Sequence, residues 1–329
     1  MSEEKSVNLF EMSDLCTPWC LHVVVTLRMA EHMAAGIHKI EDLAAAASCD
    51  PTALQQVLGH LASKGVFDES TAGCFSLNEA AQQLLDPGLR LGLDLDGIGG
   101  RMAYSWGSLL SYVRTGAPAY KELFGLPFWE DLDAHPELAA SFDALIGPGG
   151  HGGSFNADFQ ITGGWEAVRT VVDVGGGTGS MLAELLRLRP NLHGILVDQA
   201  NTVARSAAIL EAAGVRERVS TVGQSFFDAL PAGADLYLLR GVLNDWPDRE
   251  ALAILRRCAE AAGPSGRVVV LKSVGADEAR NELGIEMVML GGRRRSAAEF
   301  RELARQAGLE ILGAGQQPSG YFVVECRTV

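Results

Sequence analysis

Asp173-Val174-Gly175-Gly176-Gly177-Thr178-Gly179 decides how the second half of this 329-residue chain folds. The apolar run Thr170–Val174 before it reads as a buried strand, and Gly179–Leu188 after it reads as a helix. Glycines let a backbone turn tightly and approach a ligand closely. The helix N-terminus behind the turn favours negative groups. The spacing is G-x-G-x-G, with Ser180 where a dinucleotide fingerprint carries its third glycine. Alone, such a turn is equally a structural strand-to-helix connection. Asp198 adds to it: it ends the next predicted strand, 23 residues after Gly175, where a carboxylate can accept both hydroxyls of a ribose. Together the two features point to a ligand of nucleoside type held by Asp173, Gly175, Gly177, Asp198 and the adjoining Gln199.

Outward from that turn the alternation continues. Strands are expected at His193–Asp198, Val219–Val222, Leu236–Arg240, Arg267–Val274 and Tyr321–Cys326, with helices at Thr202–Ala213, Asp248–Ala262 and Ala297–Ala307. The pattern predicts an α/β, doubly wound, mostly parallel sheet whose ligands lie at the carboxyl ends of the strands. Two segments then fall at the ligand: Gly223-Gln224-Ser225-Phe226-Phe227 after the third strand, where a nucleobase would lie, and Arg240 to Asp248 after the fourth, where the reacting group would lie.

The first half reads differently. Apolar spacing predicts a helix over 11–35 and another from Pro51 to Lys64, opened by Asp50 as N-cap and carrying Leu54, Val57, Leu58 and Leu61 on one face. Val66-Phe67 and Cys74–Leu77, joined by a polar turn, read as a hairpin, which completes a winged-helix pattern. As a DNA reader the second helix would present only Gln55, Gln56, His60 and Lys64, a poor electrostatic footprint. Dimerisation is the better use. From Leu91 to Ile146 the chain is helical and rich in aromatics, including Trp106 and Phe142, as the lid of an apolar pocket requires. The stretch Gly147–Gly153, which holds His151, cannot be a regular element interior. These boundaries divide the chain into 1–90, a helical linker and lid at 91–164, and the ligand-binding domain at 165–329.

The formal charge of −14 argues against nucleic-acid or anionic-membrane partners. Leu21–Leu27 is too short to span a bilayer. Six scattered cysteines suit reduced thiols and a cytoplasmic protein, and Cys16 and Cys20 have no second pair to complete a zinc site, so no metal is expected.

Thr17-Pro18-Trp19, Arg114-Thr115-Gly116, Pro127-Phe128-Trp129-Glu130-Asp131-Leu132, the glycine turn, Asn244-Asp245-Trp246 and Gly291-Gly292 carry a further reading. In this order, over nearly the whole chain, they make it resemble the plant-type and bacterial small-molecule O-methyltransferases, the group of hydroxyindole, caffeate and antibiotic-tailoring enzymes. The resemblance implies a Rossmann-like class I methyltransferase domain behind an N-terminal all-helical winged-helix dimerisation domain, and a homodimer. It also implies S-adenosylmethionine as cofactor, held at Gly175, Asp198, the Ser225-Phe226 pair and Arg240, and a small aromatic substrate. Trp106, Phe142, Ile146, His151, Met287 and Leu290 are expected to face that substrate.

Three departures bear on the chemistry. The resembled family reads His-Asp-Trp, with histidine as general base, where this chain has Asn244-Asp245-Trp246, and an amide does not take a proton near pH 7. Arg294 stands where the family has a glutamate that orients that histidine, and Ser225 where it has an aspartate facing adenine. No histidine follows His193. A general base is worth roughly a hundredfold to ten-thousandfold, whereas positioning supplies about 7–11 kcal/mol. The expectation is therefore methyl transfer largely by proximity, with Asn244 orienting the acceptor, Arg294 pairing with an anionic group, and Asp245 as support or base. The alternative is a methyltransferase fold that binds the cofactor and catalyses hydroxylation, decarboxylation or rearrangement. The run Arg293-Arg294-Arg295 reads equally well as a solvated charge cluster.

Overall fold

The computed structural model describes residues 7–147, 156–277 and 283–329. They divide into two compact units, drawn from Met1–Tyr104 with Glu137–Gly153 and from Ser105–Pro136 with Ser154–Val329.

The first unit is helical with one small hairpin. The stretch read as a single helix over 11–35 is broken: helices run Leu9–Met12, Cys16–Thr26 and Met29–Ala34, and Arg28 takes the left-handed conformation at φ 57° between the last two. Asp50 caps the helix Pro51–Ser63 by accepting the Ala53 N–H at 2.8 Å, and Leu54, Leu58 and Leu61 are buried beneath it. That face packs with Val24, Val25, Met29, Leu43, Phe67 and Phe75 into one core. The wing is an antiparallel pair, β1 (Phe67–Thr71) and β2 (Cys74–Leu77).

The second unit is built on a seven-stranded sheet. Its strands are β3 (Thr170–Val174), β4 (His193–Asp198), β5 (Val219–Gly223), β6 (Leu236–Arg240), β7 (Arg267–Leu271), β10 (Leu309–Gln316) and β11 (Phe322–Thr328). Two further short strands, β8 (Val274–Gly275) and β9 (Arg295–Ser296), pair in parallel outside it. The spatial order is β10-β11-β7-β6-β3-β4-β5. Pairs among β5, β4, β3, β6 and β7 are parallel, while β11 runs antiparallel to β7 and β10 antiparallel to β11. The chain order reverses at β3, which has β4 on one side and β6 on the other, so a switch point opens at its carboxyl end.

The central strands are buried almost throughout, and successive side chains alternate between two covered faces. Val172, Val174, Tyr237, Leu239, Val268 and Val270 pack on one face with the helices Asp248–Ala262 and Ala297–Gln306. Val171, Leu196, Leu236, Leu238 and Val269 pack on the other with Ser180–Leu188. Two expectations change. The strand predicted to reach Val274 stops at Leu271, because Lys272 turns left-handed at φ 63° and Val274 joins the separate β8–β9 ladder. The helix predicted over 202–213 is interrupted between Ala200–Ala204 and Ala207–Ala212.

Candidate functional site

The glycine turn lies at the carboxyl end of β3. Gly175, Gly177 and Gly179 all have positive φ, at 68°, 60° and 82°, a region that L side chains rarely occupy. The Gly175 N–H donates to Val197 O at 2.8 Å, and the Gly177 N–H donates to Asp198 Oδ2 at 2.8 Å. Asp198 also accepts the Gln199 N–H through Oδ1, at 2.8 Å. The end of β4 thus holds the turn in shape from its side. A Cβ on Gly176 would come within 2.6 Å of the Asp173 carboxyl and of Leu196, and one on Gly175 would reach Val242 and Phe226, whereas Gly177 faces open space. The turn is therefore packed from behind and open at Gly177.

Asp173 is 1% exposed, and its Oδ2 has no hydrogen-bond partner among the described residues. Burial pushes its carboxyl up to about 7, with Asp198 adding to the rise and Arg240 opposing it. A buried carboxyl thus stands beneath the glycine turn with one oxygen unpartnered among the described residues, a costly arrangement in a protein interior. Arg240 ends β6 near it, its Nε 3.4 Å from the Tyr321 hydroxyl. Beside Arg240, Asn156, Lys272 and Ser319 to Phe322 line a concavity of about 270 Å³, away from the glycine turn itself. Ser225 accepts the Phe227 N–H at 3.2 Å, and Phe226 and Phe227 stack edge-on against Trp246. The Gln199 amide, oriented to satisfy its neighbours, donates to both oxygens of Asp133 at 3.0 and 2.8 Å, and Asn201 joins the same carboxylate at 3.3 Å. Gln199 therefore anchors the helix Phe128–Ala134, a role the sequence did not reveal.

Asn244 and Asp245 sit in a single 3₁₀ turn, Leu243–Asp245, just after β6. The Asn244 amide is held at both ends: Ser273 Oγ donates to its Oδ1 at 2.9 Å, and its Nδ2 donates to Asp245 Oδ1 at 2.9 Å. The half-buried Asp245 carboxyl is pushed up to about 8 by desolvation and by the Glu286 carboxylate. Glu286 stands on the helix Ile285–Leu290 and lies 3.6 Å from Arg294 Nε. Arg294 is 54% exposed. Gly292 has to be glycine: a Cβ there would lie 2.1 Å from Asn244 O and 2.7 Å from the Asp245 carbonyl carbon.

Arg295 corrects the reading of the arginine run as a solvated cluster. It is 2% exposed. Its Nη1 donates to Leu243 O at 2.6 Å, its Nη2 to Trp246 O at 2.8 Å and its Nε to Asp248 Oδ1 at 2.9 Å. One buried guanidinium thus clamps the turn that carries Asn244 and Asp245. Ser273, Glu286 and Arg295 were missed as site residues because each is 29 or more residues from Asn244 in sequence, and only the fold brings them to it.

Of the expected substrate-facing residues, Met287 and Leu290 are half-buried on the helix Ile285–Leu290, which packs against both the Asn244 turn and the turn Trp106–Ser108. Trp106 is 40% exposed. Phe142 and Ile146 lie in the other unit, on the helix Pro136–Ile146. His151 lies outside the described residues.

A parallel sheet of this order with an antiparallel hairpin beside β7, a glycine turn at the switch point and an acid at the end of the next strand define a class I methyltransferase. The comparisons with known proteins agree. An O-methyltransferase domain matches residues 106–310 and an O-methyltransferase dimerisation domain matches residues 11–87. The chain belongs to the O-methyltransferase family, and S-adenosylmethionine is its cofactor.

The chain is 40% identical to a 2,7-dihydroxy-5-methyl-1-naphthoate 7-O-methyltransferase of Streptomyces carzinostaticus, over 94% of each chain. It is 37% identical to the aclacinomycin 10-hydroxylase RdmB of Streptomyces purpurascens, over 97% of this chain and 87% of that one. Among solved structures, the O-methyltransferase NcsB1 from neocarzinostatin biosynthesis, in complex with S-adenosylmethionine and 2-hydroxy-5-methyl naphthoic acid, is 38% identical with a TM-score of 0.88, over 99% of this chain and 100% of that one. Among the described residues no helix is long and apolar enough to cross a membrane.

Proposed function

We propose that the enzyme methylates a phenolic oxygen on a flat, bicyclic aromatic acid, and that it works chiefly by positioning. The Asn244 side chain carries this reading. Fixed between Ser273 and Asp245, it is a rigid hydrogen-bonding post too weakly basic to take a proton near pH 7, at the position where the resembled family has histidine. Bound S-adenosylmethionine supplies an electrophilic methyl group on a sulfonium sulfur. Asp173, Gly175, Gly177, Asp198, Ser225, Phe226 and Arg240 hold the cofactor, and the orphaned Asp173 carboxyl and the open face at Gly177 suit it. Asn244 orients the acceptor. Asp245, with its carboxyl raised to about 8, is matched to accept a phenolic proton at mildly alkaline pH. Arg294, half in solvent, faces the acid group of the substrate. Trp106, Met287 and Leu290 form an apolar wall of the acceptor site. The aromatic-acid class rests on the naphthoate relative.

The working form is a cytoplasmic homodimer, joined through the winged-helix unit, with no nucleic-acid partner. The matched dimerisation domain and the acidic charge support this.

The hydroxylase relative at 37% identity favours a second reading, in which the cofactor stays intact and its charge assists another reaction. A series of hydroxynaphthoic acids with phenol pKa values from about 7 to about 10 tests the first reading. Positioning without a strong base predicts rates that rise as the phenol becomes more acidic, and loss of activity when the carboxylate is removed from the ring. Rates independent of phenol pKa, or equal for the decarboxylated ring, contradict it.

A further inference from the structure

The winged-helix unit contains a cluster that methyl transfer does not use. Cys16 and Cys20 lie one helical turn apart on Cys16–Thr26, so both thiols face the same way. Their sulfurs are 3.9 Å apart. His60, from the helix Pro51–Ser63, brings a ring nitrogen to them, and the three potential ligand atoms all lie within 4.8 Å of one another. The imidazole is held in place by the same helix that bears the thiols. Thr17 Oγ1 is 2.8 Å from His60 Nε2 and donates to Asp14 Oδ2 at 2.5 Å, while Asp14 Oδ1 accepts the Cys16 N–H at 2.8 Å.

We propose that Cys16, Cys20 and His60 form a binding site for a thiophilic d¹⁰ cation, with Zn²⁺ as the matching ion, which ties these two helices together. The sulfur spacing carries the argument. Two thiolates at about 2.3 Å from a tetrahedral zinc sit about 3.8 Å apart, close to the 3.9 Å between these sulfurs. A disulfide needs about 2.05 Å, so the pair is spaced for a shared ion rather than for a bond. The donor set, two sulfurs and one imidazole, selects soft or borderline cations over Mg²⁺ or Ca²⁺. Asp14 and Thr17 supply the outer hydrogen bonds that metal-bound histidines regularly have. Binding expels the two thiol protons to solvent, and the exposed Cys16 side leaves the fourth position to water. The expectation from sequence that these cysteines lack partners changes because the third ligand comes from a helix 40 residues further along.

The test uses the full chain, reduced and stripped with a chelator, titrated with Zn²⁺ alone in competition with a chromophoric chelator, and in parallel with Co²⁺. The expected result is one equivalent of zinc, a sulfur-to-cobalt charge-transfer band with intense tetrahedral visible bands, and a higher unfolding temperature with zinc. Cys16→Ser and His60→Gln each weaken binding by more than roughly 100-fold, and Thr17→Val by roughly 10–100-fold, the usual cost of losing an outer partner. Cys49→Ser leaves it unchanged. Circular dichroism of each metal-free variant checks folding, and the Co²⁺ spectrum of the unaltered chain stands even if a variant unfolds. No retained equivalent, a cobalt spectrum without the charge-transfer band, or binding that survives both Cys16→Ser and His60→Gln overturns the proposal.

Discussion

Replacing Arg295 by methionine probes the support under the Asn244 turn. The guanidinium is almost fully enclosed and donates to two carbonyls of the turn, Leu243 O and Trp246 O, and to Asp248. Asp248 is 55% exposed, so water takes over its share and that bond counts for about 0–1 kcal/mol. The two stranded carbonyls each cost about 1–3 kcal/mol. Arg295→Met should therefore destabilise the protein by about 2–6 kcal/mol, and Arg295→Lys, which keeps the charge but not the fork, by roughly half of that. The glycine turn is held separately, by Val197 and Asp198. Cofactor affinity should therefore change less than about threefold, while kcat falls on the order of 100-fold, the usual result of misplacing a reacting group by about 1 Å. Urea denaturation gives the first figure, and calorimetry and steady-state kinetics the others. A stability loss under about 0.5 kcal/mol, or cofactor affinity falling as far as kcat, would refute the clamp.

Further outcomes follow from the same geometry. Asp173, raised to about 7, holds its proton more tightly folded than unfolded, so its contribution to stability is present below about pH 4 and is lost as pH rises through about 7. Asp173→Asn should remove that loss from the cofactor-free protein and flatten the rise in cofactor affinity between pH 6 and 8 expected as the carboxyl ionises; thermal melts and calorimetry across this range check both. Asn244→His, if methyl transfer runs without a strong base, should raise kcat at least ~10-fold for a phenol of ordinary pKa, and abolished activity instead would assign the amide a role of its own. Gly292→Ala should cost more than ~10-fold in kcat, since the added methyl falls on the Asn244 and Asp245 backbone, and unchanged kinetics would show that backbone to be soft.

The sheet was largely readable because buried parallel strands are short apolar runs between glycine turns, as Thr170–Val174 and Leu236–Arg240 are. The strand Leu309–Gln316 was not, since Gly313 and Gly315 interrupt it and most of it is exposed at the sheet edge. Asp198 and Gly177 were placed together by a local rule of spacing, and a 2.8 Å bond joins them. The support of Asn244 obeys no local rule. Ser273 reaches it from just beyond the carboxyl end of β7, Glu286 from a short helix, and Arg295 looks in sequence like its two neighbours. Which of three consecutive arginines is buried depends on the β8–β9 ladder, and that pairing leaves no periodicity to read.

Methyl transfer from the cofactor is expected even though the turn after β6 presents an amide, Asn244, and no histidine. The direct measurement incubates the purified enzyme with methyl-labelled S-adenosylmethionine and a hydroxynaphthoic acid, and follows label and mass in the product. The expected result is label on the phenolic oxygen and one S-adenosylhomocysteine for each methylated product. An altered acid that carries no label, with the cofactor recovered intact, would contradict it.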